Sequence, residues 1–195
     1  MTDVNEVEQD LFDDAQEEFP GKEDLKDRLV LIWVTGRHGV RKSADAGSRP
    51  YDWYETVTVV LDDGPNWDGF KVVDGERKPM LVASVKDEGP QRLDNFQFTQ
   101  SGLTTRLAGR VALSPGSPTI NGPAVQDKSK TYRPMIGRIN SRPNKVKGRS
   151  ASWSIAEPTI EDKVVARKHN ALIAQISKEM ETAGQEKAES DGFDE

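Results

Sequence analysis

Two stretches near the front of the chain carry the strongest strand patterns. RLVLIWVT (28–35) is β-branched and apolar on both faces, as in a strand inside a sheet or barrel. YDWYETVTVVLD (51–62) alternates. Trp53, Glu55, Val57, Val59 and Leu61 fall on one face, and Tyr54, Thr56, Thr58 and Val60 on the other. Between them, GRHGVRKSADAGSRP (36–50) holds three glycines and a proline without apolar periodicity, which predicts a loop. DDGP (62–65) closes the second strand as a turn. GFKVVDGE (69–76) and PMLVASVKDEG (79–89) predict a further hairpin, and DNFQFTQ (94–100) a short strand. SGLTTRLAGR (101–110) predicts a short helix capped near Ser101, followed by a Pro/Gly/Ser-rich connection as far as residue 131. PMIGRI (134–139) and ASWSIA (151–156) predict two more strands around the loop NSRPNKVKGRS (140–150).

The last element is helical. Thr159 is a good N-cap with Asp162 three residues on, and Ile160, Val164, Leu172, Ile176 and Met180 recur at helical spacing. The pattern predicts one amphipathic helix over 160–181, packed by that face and ending near Gly184. The order of elements is that of a mainly β protein. It predicts an OB-fold-like five-stranded Greek-key barrel with a hairpin insertion and a C-terminal α-helix. Such a barrel binds oligonucleotides with the loops after its first and fourth strands. Here those loops are 36–50 and 140–150, and both are basic.

Length and charge sharpen this picture. The 195 residues suit one domain with tails. We place an acidic flexible segment at 1–22, the nucleic-acid-binding domain at 23–181, and an acidic flexible tail at 182–195. The formal net charge is −6, yet residues 101–150 carry ten Lys or Arg against a single acid. A basic block between acidic ends is a polyanion signal, although charge runs are also often plain solvated surface. There is no cysteine, so disulfides, thiolate metal sites and thiol catalysis are excluded. No leader or spanning segment is apparent, and the expected location is cytoplasmic.

Aromatic residues flank both basic loops. Trp33 precedes the first and Tyr51, Trp53 and Tyr54 follow it; Tyr132 and Trp153 bracket the second. Single strands are held by a positive groove that tracks phosphates and by rings on which bases stack, each stack worth about 1–3 kcal/mol. The expected phosphate contacts are Arg37, Arg41, Lys42, Arg49, Arg133, Arg138, Arg142, Lys145, Lys147 and Arg149, and the expected platforms are Tyr54, Tyr132 and Trp153. Trp33 and Trp53 suit the core equally well, since large aromatics are mostly buried. The tail sets Phe193 among Asp191, Asp194 and Glu195, a hydrophobic anchor in an acidic peptide suited to a protein partner.

Catalytic patterns are weak. GRHGVRKS (36–43) nearly matches a phosphate-binding loop, but Arg41 stands where glycine must admit the phosphate, and no helix pattern follows. His38 and His169 make no metal-binding spacing, and no G-x-S-x-G elbow occurs. Asp62, Asp63 and Asp68 suit a turn better than a Mg²⁺ site. We expect no enzyme and no cofactor.

DLKDRLVLI, YETVTVVLDDG and WSIAEPTIEDKVVARKH resemble patches of small phage-encoded single-stranded DNA-binding proteins of the actinobacteriophage type. The matching residues are Asp24, Leu25, Arg28, Trp153, Pro158, Thr159, Asp162, Ala166 and Arg167. The resemblance implies an OB-fold, no catalysis, and coating of single strands in phage replication or recombination. The expected partners are therefore single-stranded DNA, replication or recombination proteins at the tail, and further copies of the chain. The rival expectation is a structural or adaptor protein, such as a virion component, whose basic block meets an acidic protein. A metal-dependent nuclease is a second rival.

Overall fold

The computed structural model of the chain describes residues 19–41, 51–99, 134–143, 145 and 151–190. Its organising element is the long antiparallel pair of β1 (Leu29–Arg41) and β2 (Tyr51–Asp62). From Leu29 to Val34 both faces of β1 are buried, which is why that run is apolar without alternation. Leu29, Leu31 and Trp33 join one core cluster, and Val30, Ile32 and Val34 the other. β2 divides likewise, with Val57, Val59 and Leu61 on one side and Tyr54 and Val60 on the other.

β5 (Gln91–Thr99) pairs with the far side of β2. β6 (Met135–Arg142) pairs with β1, and β7 (Ser152–Ala156) with β6. All are antiparallel, and the sheet order is β5-β2-β1-β6-β7. Numbered as the first to fifth strands of this sheet, they run 3-2-1-4-5, so the first four form a Greek key and a hairpin adds the fifth. The sheet is not closed: β5 and β7 are its two ends. The mainly β class, the antiparallel sheet and the C-terminal helix agree with the sequence reading; the closed barrel is not formed.

Two local features shape the sheet. The register slips between Thr56 and Thr58, which face Phe96 and Leu93, and the extra β5 residue is absorbed by Asn95 at φ 58°. The hydroxyls buried there are satisfied: Thr56 Oγ1 donates to Phe96 O at 2.8 Å and lies 2.9 Å from Thr58 Oγ1. Gly137 on β6 leaves no room for a side chain, because a Cβ there would meet the backbone oxygen of Ala156 and come within 2.6 Å of Ile155 Cγ2.

The insertion between β2 and β5 holds β3 (Phe70–Val73), β4 (Glu76–Pro79) and the single turn α1 (Val85–Glu88). Asp74 (φ 53°) and Gly75 (φ 82°) make the two-residue turn of the β3–β4 hairpin, both in the left-handed region that a type I′ turn requires. The hairpin is thus tighter than expected, and residues 80–89 contribute no strand to it. Residues 36–41 depart from expectation too. They continue β1, with register shifts at Val34/Gly36 and Arg37/Gly39 where a loop was expected. The helix predicted over 101–110 lies outside the described residues.

The C-terminal segment is two helices, α2 (Ile160–Arg167) and α3 (Asn170–Ser190), with a break at Lys168 and His169. The capping box is present: Asp162 N donates to Thr159 Oγ1 at 3.1 Å, and Thr159 N to Asp162 Oδ2 at 2.9 Å. Ala166, Leu172, Ile173, Ile176 and Met180 cover the Leu31–Trp33–Val59 face, and Trp33 Nε1 donates to Ser177 Oγ at 3.2 Å. Ile160 and Val164, expected on the packed face, are 77 % and 46 % exposed. The break at Lys168 and His169 interrupts the helical phase, so the spacing of Ile160 and Val164 does not carry over to the face that Leu172, Ile176 and Met180 present on α3. α3 also runs past Gly184 to Ser190.

Candidate nucleic-acid interface

Three segments that are distant in sequence meet at the Leu29 end of β1. They are the 3-10 turn Lys22–Leu25, the β3–β4 insertion and the ends of β6 and β7. Buried charge holds them. The carboxylate of Asp24, fully buried, accepts from Gly21 N at 2.8 Å and from Lys71 Nζ at 2.7 Å through Oδ2, and from Leu81 N at 2.6 Å through Oδ1. Arg28, also fully buried, donates from Nη1 to Asp24 O and to Val82 O at 3.0 Å, and from Nη2 to Ala83 O and to Asp63 Oδ1 at 2.6 Å. Asp63 also accepts from Val85 N, Lys86 N and Ser84 Oγ. The insertion is therefore pinned to the start of β1 by two ion pairs and several main-chain hydrogen bonds.

The charges respond accordingly. Burial pushes the Asp63 carboxyl up, but the Val85 and Lys86 amides, the Ser84 hydroxyl and Arg28 together hold it below the ordinary carboxylate range. Desolvation draws the Arg28 guanidinium below its usual value even with Asp63 beside it. The Arg28 shift runs against its charged form and the Asp63 shift toward it; the pair is ionised all the same, because a guanidinium stays charged in proteins.

The three segments enclose a cleft of about 650 Å³. Trp67 and Phe70 from the insertion and Trp153 from β7 line it. Cations stand over all three rings: Arg28 Cζ is 5.8 Å from the Trp67 centroid, Arg77 Cζ 3.9 Å from that of Phe70, and Lys22 Nζ 5.7 Å from that of Trp153. Glu23, Asp27 and Asp74 also contribute to the lining, as do Lys26 and the paired Lys71, so the cleft is mixed rather than uniformly positive. Past Ser141 in this wall, the chain leaves β6 through the exposed Arg142 and Lys145.

The expected site residues separate into four groups. Arg142, Lys145 and Trp153 lie at this end of the fold, with the first two exposed and Trp153 half-buried. Arg37 and Arg41 stand at the other end of β1, in register with Tyr54 and Tyr51, so the two basic connections leave opposite ends of that strand. Lys42, Arg49, Tyr132, Arg133, Lys147, Arg149, Asp191, Phe193, Asp194 and Glu195 lie outside the described residues.

Tyr54 and Arg138 do other work than expected. The Tyr54 ring is 2 % exposed in the core with Phe96 and Phe98, so it is no base platform. Its neighbours Thr56 and Thr58, which suggested a polar face, are themselves fully buried. Arg138 clamps three elements, donating from Nε and Nη2 to Asp162 Oδ1, from Nη2 to Asp62 Oδ2 at 2.8 Å and from Nη1 to Asp27 O at 3.0 Å. Burial alone would lower its pKa, but Asp62 and Asp162 together raise it. The aspartates weighed as a Mg²⁺ site are likewise occupied: Asp62 by Arg138, Asp63 by Arg28, and Asp68 by Arg77 at 3.2 Å.

Trp67, Phe70, Lys22 and Lys26 were missed from the sequence. The signal available was two aromatics close together in the polar segment NWDGF (66–70), Trp67 in the turn ahead of the predicted hairpin and Phe70 at the hairpin's start. Comparison of the chain with known protein families, with curated proteins and with solved structures finds no match. Among the described residues no helix is long and apolar enough to cross a membrane.

Proposed function

We propose that the protein binds single-stranded DNA without reading sequence and protects it during replication or recombination, in the manner of the phage proteins its sequence resembles. The observation that carries this reading is the place of Trp153. Its ring lies in a cleft with two further rings, where the basic β6–β7 connection leaves the sheet through Arg142 and Lys145. Rings beside exposed cations are what sequence-tolerant binding of single strands requires. The 3-2-1-4-5 strand order supports an OB-type barrel, itself described as partly open, with β5 and β7 as the strands left to close it.

Titration with an unstructured oligonucleotide, followed by tryptophan fluorescence, tests the proposal. Quenching by the single strand and not by a duplex of equal length is the expected result. With about five phosphates neutralised, log K falls with log[salt] at a slope of about −3 to −4. Absence of binding at low salt overturns it. A second reading, an adaptor that binds protein, is favoured by one observation: Ile160 and Val164 stand exposed one turn apart on α2. Under that reading nucleic acid leaves the tryptophans unquenched.

A further inference from the structure

We infer that the Trp67–Phe70–Trp153 cleft takes up a single unstacked nucleobase of the bound strand, and favours bases that carry an exocyclic amine. The inference rests on the single-strand reading and adds a subsite to it. The cleft volume of about 650 Å³ is that of a small-molecule site. Its aromatic walls suit a flat ring. Its polar lining does not suit a phosphate, because the carboxylates of Glu23, Asp27 and Asp74 would repel one. Ionised carboxylates only accept hydrogen bonds. Adenine, cytosine and guanine each offer an exocyclic amine with two N–H donors to such groups, whereas thymine offers only its single ring N3–H. Lys22 and Lys26 line the same cleft and are the cations available to flanking phosphates. The outcome is a compositional bias laid over sequence-independent binding.

The test uses the full chain with homopolymers of dA, dC and dT of one length, and with free cytidine and thymidine. The variants are Trp67→Ala and Phe70→Ala. Phe70 is 43 % exposed, so its variant keeps the fold should Trp67→Ala lose it. Wild-type protein is expected to bind the dC and dA strands more tightly than dT. Each variant should weaken dC binding by about fivefold or more, the loss of one stack, while the salt slope stays the same. Cytidine should quench wild-type fluorescence more than thymidine does. Strand binding that Phe70→Ala leaves unchanged overturns the base subsite while the function stands. Quenching by cytidine without strand binding leaves the subsite standing and overturns the single-strand reading.

Discussion

Replacing Arg28 by methionine removes a buried charge while roughly keeping the volume of the side chain. In the native protein Arg28 serves four oxygens, the carbonyls of Asp24, Val82 and Ala83 and the carboxylate of Asp63. Methionine serves none. Breaking a buried pair by removing one partner costs about 3–5 kcal/mol. The lower end applies, because Asp63 retains the Val85 and Lys86 amides and the Ser84 hydroxyl, and its side chain is 12 % exposed. Arg28 Nε also has no partner among the described residues, so the native residue carries its own desolvation penalty. With a urea m-value of about 2 kcal/mol/M, a loss of about 3 kcal/mol moves the midpoint down by about 1.5 M. Urea unfolding followed by tryptophan fluorescence measures it. A double-mutant cycle with Asp63→Asn should show the two changes to be strongly non-additive. A midpoint within about 0.3 M of wild type would refute the view that this pair pins the insertion to β1.

Gly137→Ala should destabilise by about 1–3 kcal/mol through overpacking against Ala156 and Ile155, read as a lower urea midpoint. Ile176→Ala should cost about 2–5 kcal/mol while Ile160→Ser stays within about 0.5 kcal/mol, which thermal melts of the pair would separate. Stability should fall in acid. Asp63 and Asp162 both sit below their ordinary value in the fold, so their contribution is complete above about pH 4 and is lost as pH drops through the folded values. Asp162→Asn should flatten that part of the curve measured by unfolding at a series of pH values. Trp153→Ala should remove a large part of the single-strand quenching and leave the salt slope unchanged.

The sheet strands were legible because β-branched runs and alternation are local signals, and the N-cap of α2 because its partners lie three residues apart. What stayed hidden depends on partners far along the chain. Arg28 and Asp63 are 35 residues apart, and a buried arginine is indistinguishable in sequence from a surface one. Counting Arg138 among phosphate contacts had the same origin. It sits in a run without acids, but its carboxylates come from β2 and α2. Tyr54 was misplaced because its face looked half-polar. The threonines there are buried by bonding to each other and to Phe96 O. The cleft rings escaped notice because Trp67 lies in no regular element, so no periodicity marked its face.

The motifs that carried the family resemblance prove largely architectural. Asp24 and Arg28 latch the insertion, while Thr159 and Asp162 cap α2 and hold Arg138. This bears on how charge is distributed over the fold. Asp24, Asp63 and Asp162 inside the fold, and the half-exposed Asp62 at its edge, are spent on Arg28, Lys71 and Arg138. Internal pairs cancel at short range and project little field, because interaction energy falls with distance and solvent screens the remainder. The surface field at the β6–β7 end is set instead by exposed groups such as Arg142 and Lys145, against the cleft carboxylates. Net charge over the chain is therefore a poor guide to this end of the molecule.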